Sequence, residues 1–295
     1  MIDLALIGGS FLVAIVVGLT GMGGGALMTP MMMLFFNVPP LAAVSSDLVA
    51  SAVMKPVGSV VHLRRGTVNL RLVGWLCAGS VPAAFCGVFL ARAFAVTDAV
   101  KYALGVALLL AVAGMAVKTL LGGRGGTASA RDIVVRPIPT LLVGMVGGLV
   151  VGVSSVGSGS LIIVALLALY PALKANQLVG TDLVQAVPLV AAAALGHLLF
   201  GDFQLDLTLS LLIGSIPGVY LGARISSRAP GGLIRALLAI VLLASALKLL
   251  DASNTLTVAA LVAATAVVIT GWRWRARRTA EPAARDEAMS TAGRQ

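Results

Sequence analysis

The sequence predicts an all-α, polytopic membrane protein: two homologous repeats of about four to five helices, with broken glycine-rich half-helices, and one extra C-terminal helix. Two observations lead there. Hydrophobic residues make up 59% of the chain and charged residues 11%, at a mean hydropathy of +1.05. A soluble chain of 295 residues has no interior large enough for that much apolar surface, so lipid must cover the rest. The chain also writes one glycine-rich pattern twice, about 134 residues apart: GLTGMGGGAL from Gly18 to Leu27, and GVSSVGSGSL from Gly152 to Leu161. Shifted by one further residue, the correspondence continues. Asp47-Leu48-Val49 matches Asp182-Leu183-Val184, His62-Leu63 matches His197-Leu198, and Gly66 matches Gly201. Gly79-Ser80 and Pro82 match Gly214-Ser215 and Pro217, and Gly87 matches Gly222. A duplicated apolar unit interrupted by glycines is how a chain with discontinuous membrane helices reads.

The elements follow in order. The run 4–20 comes after Met1-Ile2-Asp3, with no basic n-region and no A-x-A site behind it, so it is read as a retained membrane segment. A short run, 26–36, follows the first glycine motif. Runs 41–63, 70–91 and 98–121 then reach the roughly 17–25 residues that cross a bilayer. The stretch 122–137, opening Gly-Gly-Arg-Gly-Gly, is a flexible linker. The second set repeats the first: 138–153, a short 160–170, then 177–200, 205–223 and 233–250. At about 1.5 Å per residue the two short runs cover only half a bilayer. They are read as half-helices, with the glycine motifs as unwound backbone at membrane depth, which is tolerated only against a cavity or inside protein. The run 255–272 has no counterpart in the first repeat. The expected organisation is therefore 1–121 first repeat, 122–137 linker, 138–250 second repeat, 251–275 extra helix, and 276–295 a polar, disordered cytoplasmic tail.

Loop charges bear on orientation. Arg64, Arg65 and Arg71 surround the loop after the Asp47/His62 run, whereas the equivalent loop holds Asp202 and Asp206 and no basic residue. Equivalent loops of opposite charge belong on opposite sides of a membrane, so inverted repeats are the preferred reading. Each glycine motif is then the tip of a helical hairpin followed by three crossings. The linker, the loop with Arg224, Arg228 and Arg235, and the C-terminus fall inside. The alternative is a parallel four-plus-four arrangement in which each motif is one broken crossing. The net charge of +10 lies in such loops and in the tail around Arg273 to Arg278, so no nucleic-acid partner is called for.

The candidate site gathers at the glycine motifs. Glycine lets backbone N–H groups face a cavity, and a half-helix beginning there adds its unpaired donors and positive dipole end. Gly23, Gly24 and Gly25 in the first copy, and Gly157 and Gly159 in the second, are the backbone candidates. Hydroxyls accompany them at Thr20, Thr29, Ser154, Ser155, Ser158 and Ser160. Asp47 and Asp182 each follow small residues, Ser45-Ser46 and Gly180-Thr181, near the start of an apolar run. They read either as helix N-caps or as titratable groups coupled to transport. His62 and His197 read either as structural hydrogen-bonding residues or as gating groups. Lys55, beside Pro56 and opposite Val190 in the repeat, is a charge in an apolar run and a functional candidate for that reason. Gln185 is a second polar interruption, and Pro82 and Pro217, which repeat together with Gly79 and Gly214, read as hinges or kinks. Cys77 and Cys86 face opposite sides of one helix and form no intrahelical disulfide; they and the run Met28, Met31, Met32, Met33 read as packing. No Walker-type phosphate loop, metal-ligand spacing or nucleophile–base set occurs, so neither cofactor, metal nor enzyme chemistry is expected.

The glycine opening that runs to Pro30, the Ser45-Ser46-Asp47-Leu48 and Gly180-Thr181-Asp182-Leu183 elements, and His62 and His197 ahead of Gly66-Thr67-Val68 and Gly201-Asp202-Phe203 resemble the TauE/SafE sulfite exporter family, also called TSUP, over about residues 4–250. The first element lacks the glycine that the family usually has there, and Ser155 and Ser158 break the second glycine cluster. The resemblance implies a multi-spanning plasma-membrane carrier of sulfite, sulfoacetate, related organosulfur compounds or other small anions, carboxylates included. On that reading Thr20, Gly23, Gly24, Gly25, Ser46, Lys55, Ser155, Gly157, Ser158, Gly159 and Thr181 contact substrate. Asp47, Asp182, His62 and His197 are the proton-coupling candidates. The expected partners are the small anion and the lipid bilayer, with a homo-oligomer compatible. An anion channel or a non-transporting membrane partner is the alternative.

Overall fold

The computed structural model describes residues 3–20, 24–93, 98–121, 133–173, 175–226, 231–268 and 270. Every named element among them is an α-helix. The chain divides into two units, Met1–Asp251 and Ala252–Gln295. In the second unit one apolar helix, α11 (Asn254–Val268), is described, and the Ser253 hydroxyl accepts from the Leu256 N–H at 3.3 Å at its start. It is the expected extra helix. The linker up to Asp132 and the tail from 276 lie outside the described residues.

The first unit holds α1 (Leu4–Thr20), α2 (Gly25–Phe35), α3 (Pro40–Arg64), α4 (Leu70–Ala93) and α5 (Ala99–Leu121), then α6 (Pro137–Ser154), α7 (Leu161–Leu169), α8 (Ala175–Phe200), α9 (Leu205–Ser226) and α10 (Gly231–Leu249). Within the described residues, α4, α6, α9, most of α5 and most of α8 are each long and apolar enough to cross a membrane. Their outward faces carry Val106, Leu110, Leu142, Val146, Leu195, Leu199, Ile213 and Ile216, all exposed, which is a surface for acyl chains and not for water.

The two short helices turn back on their predecessors. A Cβ at Gly9 of α1 would touch Met31 and Phe36, from α2 and its end, and one at Gly147 of α6 would collide with Ile162 of α7. So α1–α2 and α6–α7 are helical hairpins. The Met run is core: Met28, Met31 and Met32 are buried with Leu6, Ala14 and Leu211.

Contacts between the repeats are reciprocal. α1 packs on α9, and its counterpart α6 packs on α4. Both pairs run parallel. Leu76, Ser80 and Ala84 of α4 meet Gly144, Gly148 and Gly152 of α6 in step, and Ile7 and Phe11 of α1 meet Gly214 and Gly218 of α9. Backbone touches backbone along these stripes because glycine removes the side chain that would hold the helices apart. Gly79 and Gly214 are contact points of this kind: a Cβ at either collides with the neighbouring helix. α3 and α8, themselves counterparts, run antiparallel. Ser45 meets His197, Ser59 meets Leu183, and His62 lies against Gly180. The Lys101–Asp251 bridge and the packing of Gly105 on Leu250 give α5 and α10 the same antiparallel sense. Equivalent helices that pair antiparallel have the geometry that inverted repeats require.

Candidate functional site

α3 begins at Pro40 and α8 at Ala175, seven residues ahead of Asp47 and Asp182. Both carboxylates therefore stand about two turns inside their helices. The N-cap reading is corrected. Asp47 is 0% exposed and Asp182 1% exposed.

The second hairpin lies against them. α6 ends at Ser154 and is capped by Ser155, whose φ is +59°, and the chain then passes through Gly157 at +142° and Gly159 at +89° before α7 begins. Those two φ values suit glycine because a Cβ is strained there. The turn is tied down by three side chains. Ser155 Oγ donates to Asp47 Oδ2 at 2.7 Å. Lys55 Nζ donates to Ser158 Oγ at 2.5 Å. The Gly159 N–H donates to Asp182 Oδ2 at 2.7 Å. Thr29 Oγ1, from α2, donates to the same Asp47 oxygen at 2.9 Å. Asp47 Oδ1, fully buried, has no hydrogen-bond partner among the described residues. The half-buried Lys55 ammonium feels both carboxylates through space, Asp182 the more strongly.

The backbone donors divide unevenly. The Ser160, Leu161 and Ile162 N–H groups turn to the Gly157 carbonyl, at 3.4, 3.0 and 3.3 Å. With Gly159 held by Asp182, the expected cradle of free donors at the α7 start is largely filled from within. Gly157 and Ser158 are the turn residues whose N–H groups make no hydrogen bond among the described residues. Ser158 also carries the hydroxyl that the Lys55 ammonium meets.

Other predicted residues have different partners. Thr181 Oγ1 accepts from the Asn69 N–H at 3.1 Å, and Ser46 Oγ donates weakly to the Gln204 carbonyl at 3.5 Å. These are reciprocal contacts that seat each repeat on the other. His197, fully buried, donates from Nε2 to the Gly152 carbonyl at 2.8 Å and meets Ser45 Oγ through Nδ1 at 2.8 Å. A carbonyl can only accept, so Nε2 carries a proton. His62, half-buried, meets Thr67 Oγ1 at 2.9 Å. Both histidines thus clasp helix ends. Gly25 marks where the two hairpins touch, since a Cβ on it collides with the Ser155 backbone. Gly24 is buried at the start of α2. Gly23 and the side chain of Thr20 lie outside what is described. The core reading of the free cysteines is corrected for Cys86, which is exposed; Cys77 is half-buried.

Two participants were not named as site residues from sequence. Ser59 Oγ bonds the Leu183 carbonyl at 2.9 Å, and no sequence signal marks it. Ser80 accepts from Gln185 Nε2 at 2.7 Å, and the repeated Gly-Ser pair was the available signal. In the other half Ala50 replaces Gln185, and the equivalent Ser215 hydroxyl is buried with no partner among the described residues.

Helical hairpins meeting between two reciprocal repeats, around a half-buried lysine and two buried carboxylates, define a multi-pass membrane transporter. The profile of the sulfite exporter TauE/SafE family matches residues 6–249, and the chain belongs to that family. It is 36% identical over 245 residues to the probable membrane transporter protein YjnA of Bacillus subtilis (strain 168), covering 81% of this chain and 96% of that protein. It is 23% identical over 221 residues to the probable membrane transporter protein YdhB of the same organism, covering 75% and 89%. A 79-residue stretch is 42% identical to the probable membrane transporter protein YunE, covering 26% and 27%. No solved structure matches the chain. The family is one of transporters, not of enzymes.

Proposed function

We propose that this transporter carries a small anion across the plasma (inner) membrane, sulfite or an organosulfur anion foremost and a small carboxylate next, with the C-terminus cytoplasmic and a proton moving with the cargo. The observation that carries the reading is the Lys55 ammonium at Ser158, on a turn where the N–H groups of Gly157 and Ser158 make no hydrogen bond among the described residues. One positive charge beside a turn with two open backbone donors suits an oxyanion.

The electrostatics supply the coupling. Lys55 already faces Asp47 and Asp182. An anion entering alone sets three negative charges against one positive charge in a low-dielectric space. A proton on Asp47, whose Oδ1 has no partner among the described residues, offsets the added charge. The anion takes the ammonium from Ser158, which releases one tie on the second hairpin. In the first motif Gly21 and Gly24 stand where the second has Ser155 and Ser158, and Val190 stands where the other half has Lys55, so the sequence there offers neither those hydroxyls nor that ammonium. Cargo binding therefore loosens one hairpin and leaves the other, which is an asymmetry that alternating access can use.

The test is flux of sulfite, thiosulfate, taurine and small carboxylates in proteoliposomes, with and without an imposed pH gradient. The expected outcome is saturable, uphill movement of one anion that follows the proton gradient. Equal flux in a well-inserted Lys55→Met variant would remove Lys55 from the site.

A further inference from the structure

A groove of about 760 Å³ opens beside the start of α4. Arg71, Gly74, Trp75 and Ala78 form one wall and Val134 and Val135 the other. The α4 residues fall at i, i+3, i+4 and i+7, so they share one helix face. All four are exposed. Gly74 makes a notch in that face, with nothing within 4 Å of where its Cβ would stand. Val134 is 85% exposed although it is apolar.

The groove lies where two membrane-spanning helices begin. Arg71 is the second residue of α4, and Pro137, which closes the groove, is the first of α6. From Arg71 to Ala78 the helix descends about 10 Å. The charge is at the outer end, the indole of Trp75 comes next, and the deeper wall is small and apolar. That order matches a lipid molecule: phosphate, glycerol, then acyl chain. Arg71 is the charged residue of the lining, and Arg64, Arg65 and Arg136 are exposed at the same end. A zwitterionic lipid answers this positive end poorly, and a soluble anion has no use for the apolar floor.

We infer that this groove is a binding site for an anionic phospholipid, with the phosphate at Arg71 and an acyl chain along Gly74 and Ala78 between Trp75 and Val134. The site is separate from the Lys55 centre and does not depend on the cargo.

The experiment is native mass spectrometry of the purified full-length protein, released from micelles holding equimolar phosphatidylglycerol and phosphatidylcholine. Wild type is expected to retain phosphatidylglycerol preferentially. Arg71→Gln should lower that retention about fivefold, the scale of one basic side chain at an anionic surface. Gly74→Phe fills the notch and should remove either lipid. Arg92→Gln takes the same charge from the exposed far end of α4 and should change nothing. Equal retention of the two lipids by wild type, undiminished phosphatidylglycerol on Arg71→Gln, or an equal loss on Arg92→Gln would each overturn the assignment. A lipid-free dimer abolished by Gly74→Phe would overturn it too, and give the groove to a second copy of the chain.

Discussion

Lys55 and Asp47, eight residues apart on one helix, are both tied to the second hairpin, through Ser158 and Ser155. Replacing Lys55 by methionine keeps the volume and removes the charge. Transport efficiency should fall about ten- to a hundredfold while membrane insertion is unchanged, the scale of a lost charged hydrogen bond. Asp47→Asn should leave exchange of cargo in place but abolish its response to an imposed pH gradient, measured as flux with and without that gradient. Persistence of the response would move the coupling proton elsewhere. A second pair of residues tests the reciprocal packing. Ser80→Ala strips the partner from Gln185 Nε2 in a buried site and should destabilise by about 1–3 kcal/mol in a denaturation assay. Ser215→Ala removes a hydroxyl that bonds nothing among the described residues, and should be neutral or mildly stabilising. Equal losses in the two variants would show that the difference between the halves is immaterial.

The parallel pairs α1–α9 and α4–α6 depend on glycine stripes, so a leucine there acts on the whole element. Gly148→Leu collides with the Ser80 backbone. It should lower stability by roughly 1–3 kcal/mol or more, as overpacking does. Gly25→Leu collides with Ser155 at the meeting of the hairpins and should abolish flux with the helices still inserted. The end of α5 facing Asp251 behaves differently. Asp251 accepts from Lys101 Nζ at 2.7 and 2.9 Å and from Tyr102 Oη at 2.9 Å, and the Lys101 hydrogen bond, followed by that of Tyr102, holds its carboxyl below the usual carboxylate range. A depressed folded-state value stabilises above the ordinary aspartate range of about 4. That contribution is lost as pH falls through the lower folded-state value. The melting temperature of Asp251→Asn should trail wild type at neutral pH and converge with it on acidification. The pair is exposed, so the difference should be small and should shrink in high salt.

At the scale of the molecule, the antiparallel run of α3 against α8 has a consequence for topology. The loops at Arg65 and Asp202 belong on opposite faces of the membrane. In a background lacking Cys77 and Cys86, an impermeant maleimide added from one side should label Arg65→Cys or Asp202→Cys, but not both. Labelling of both from one side would restore the parallel arrangement. The helices themselves were legible beforehand, and the reason is local. Each apolar run has to satisfy its own backbone in lipid, so run length is helix length. The runs 4–20, 70–91 and 98–121 differ from α1, α4 and α5 by at most a few residues. The two short runs were legible as half-helices for the same reason, and the duplication showed that whatever one half builds the other answers. Partner choice was not legible, because it depends on which faces meet. Asp47 and Asp182 look alike in sequence, yet one gathers hydroxyls from two hairpins and the other holds a backbone N–H. The His62 and His197 clasps, and the filling of the α7 donors by the Gly157 carbonyl, came from the same source. Composition and periodicity by themselves determined a duplicated, membrane-embedded helical chain, since those properties act within each segment. Only the tertiary structure decided which polar groups remain open beside Lys55, since a buried hydrogen bond is assigned by the neighbour that arrives and not by the residue that waits.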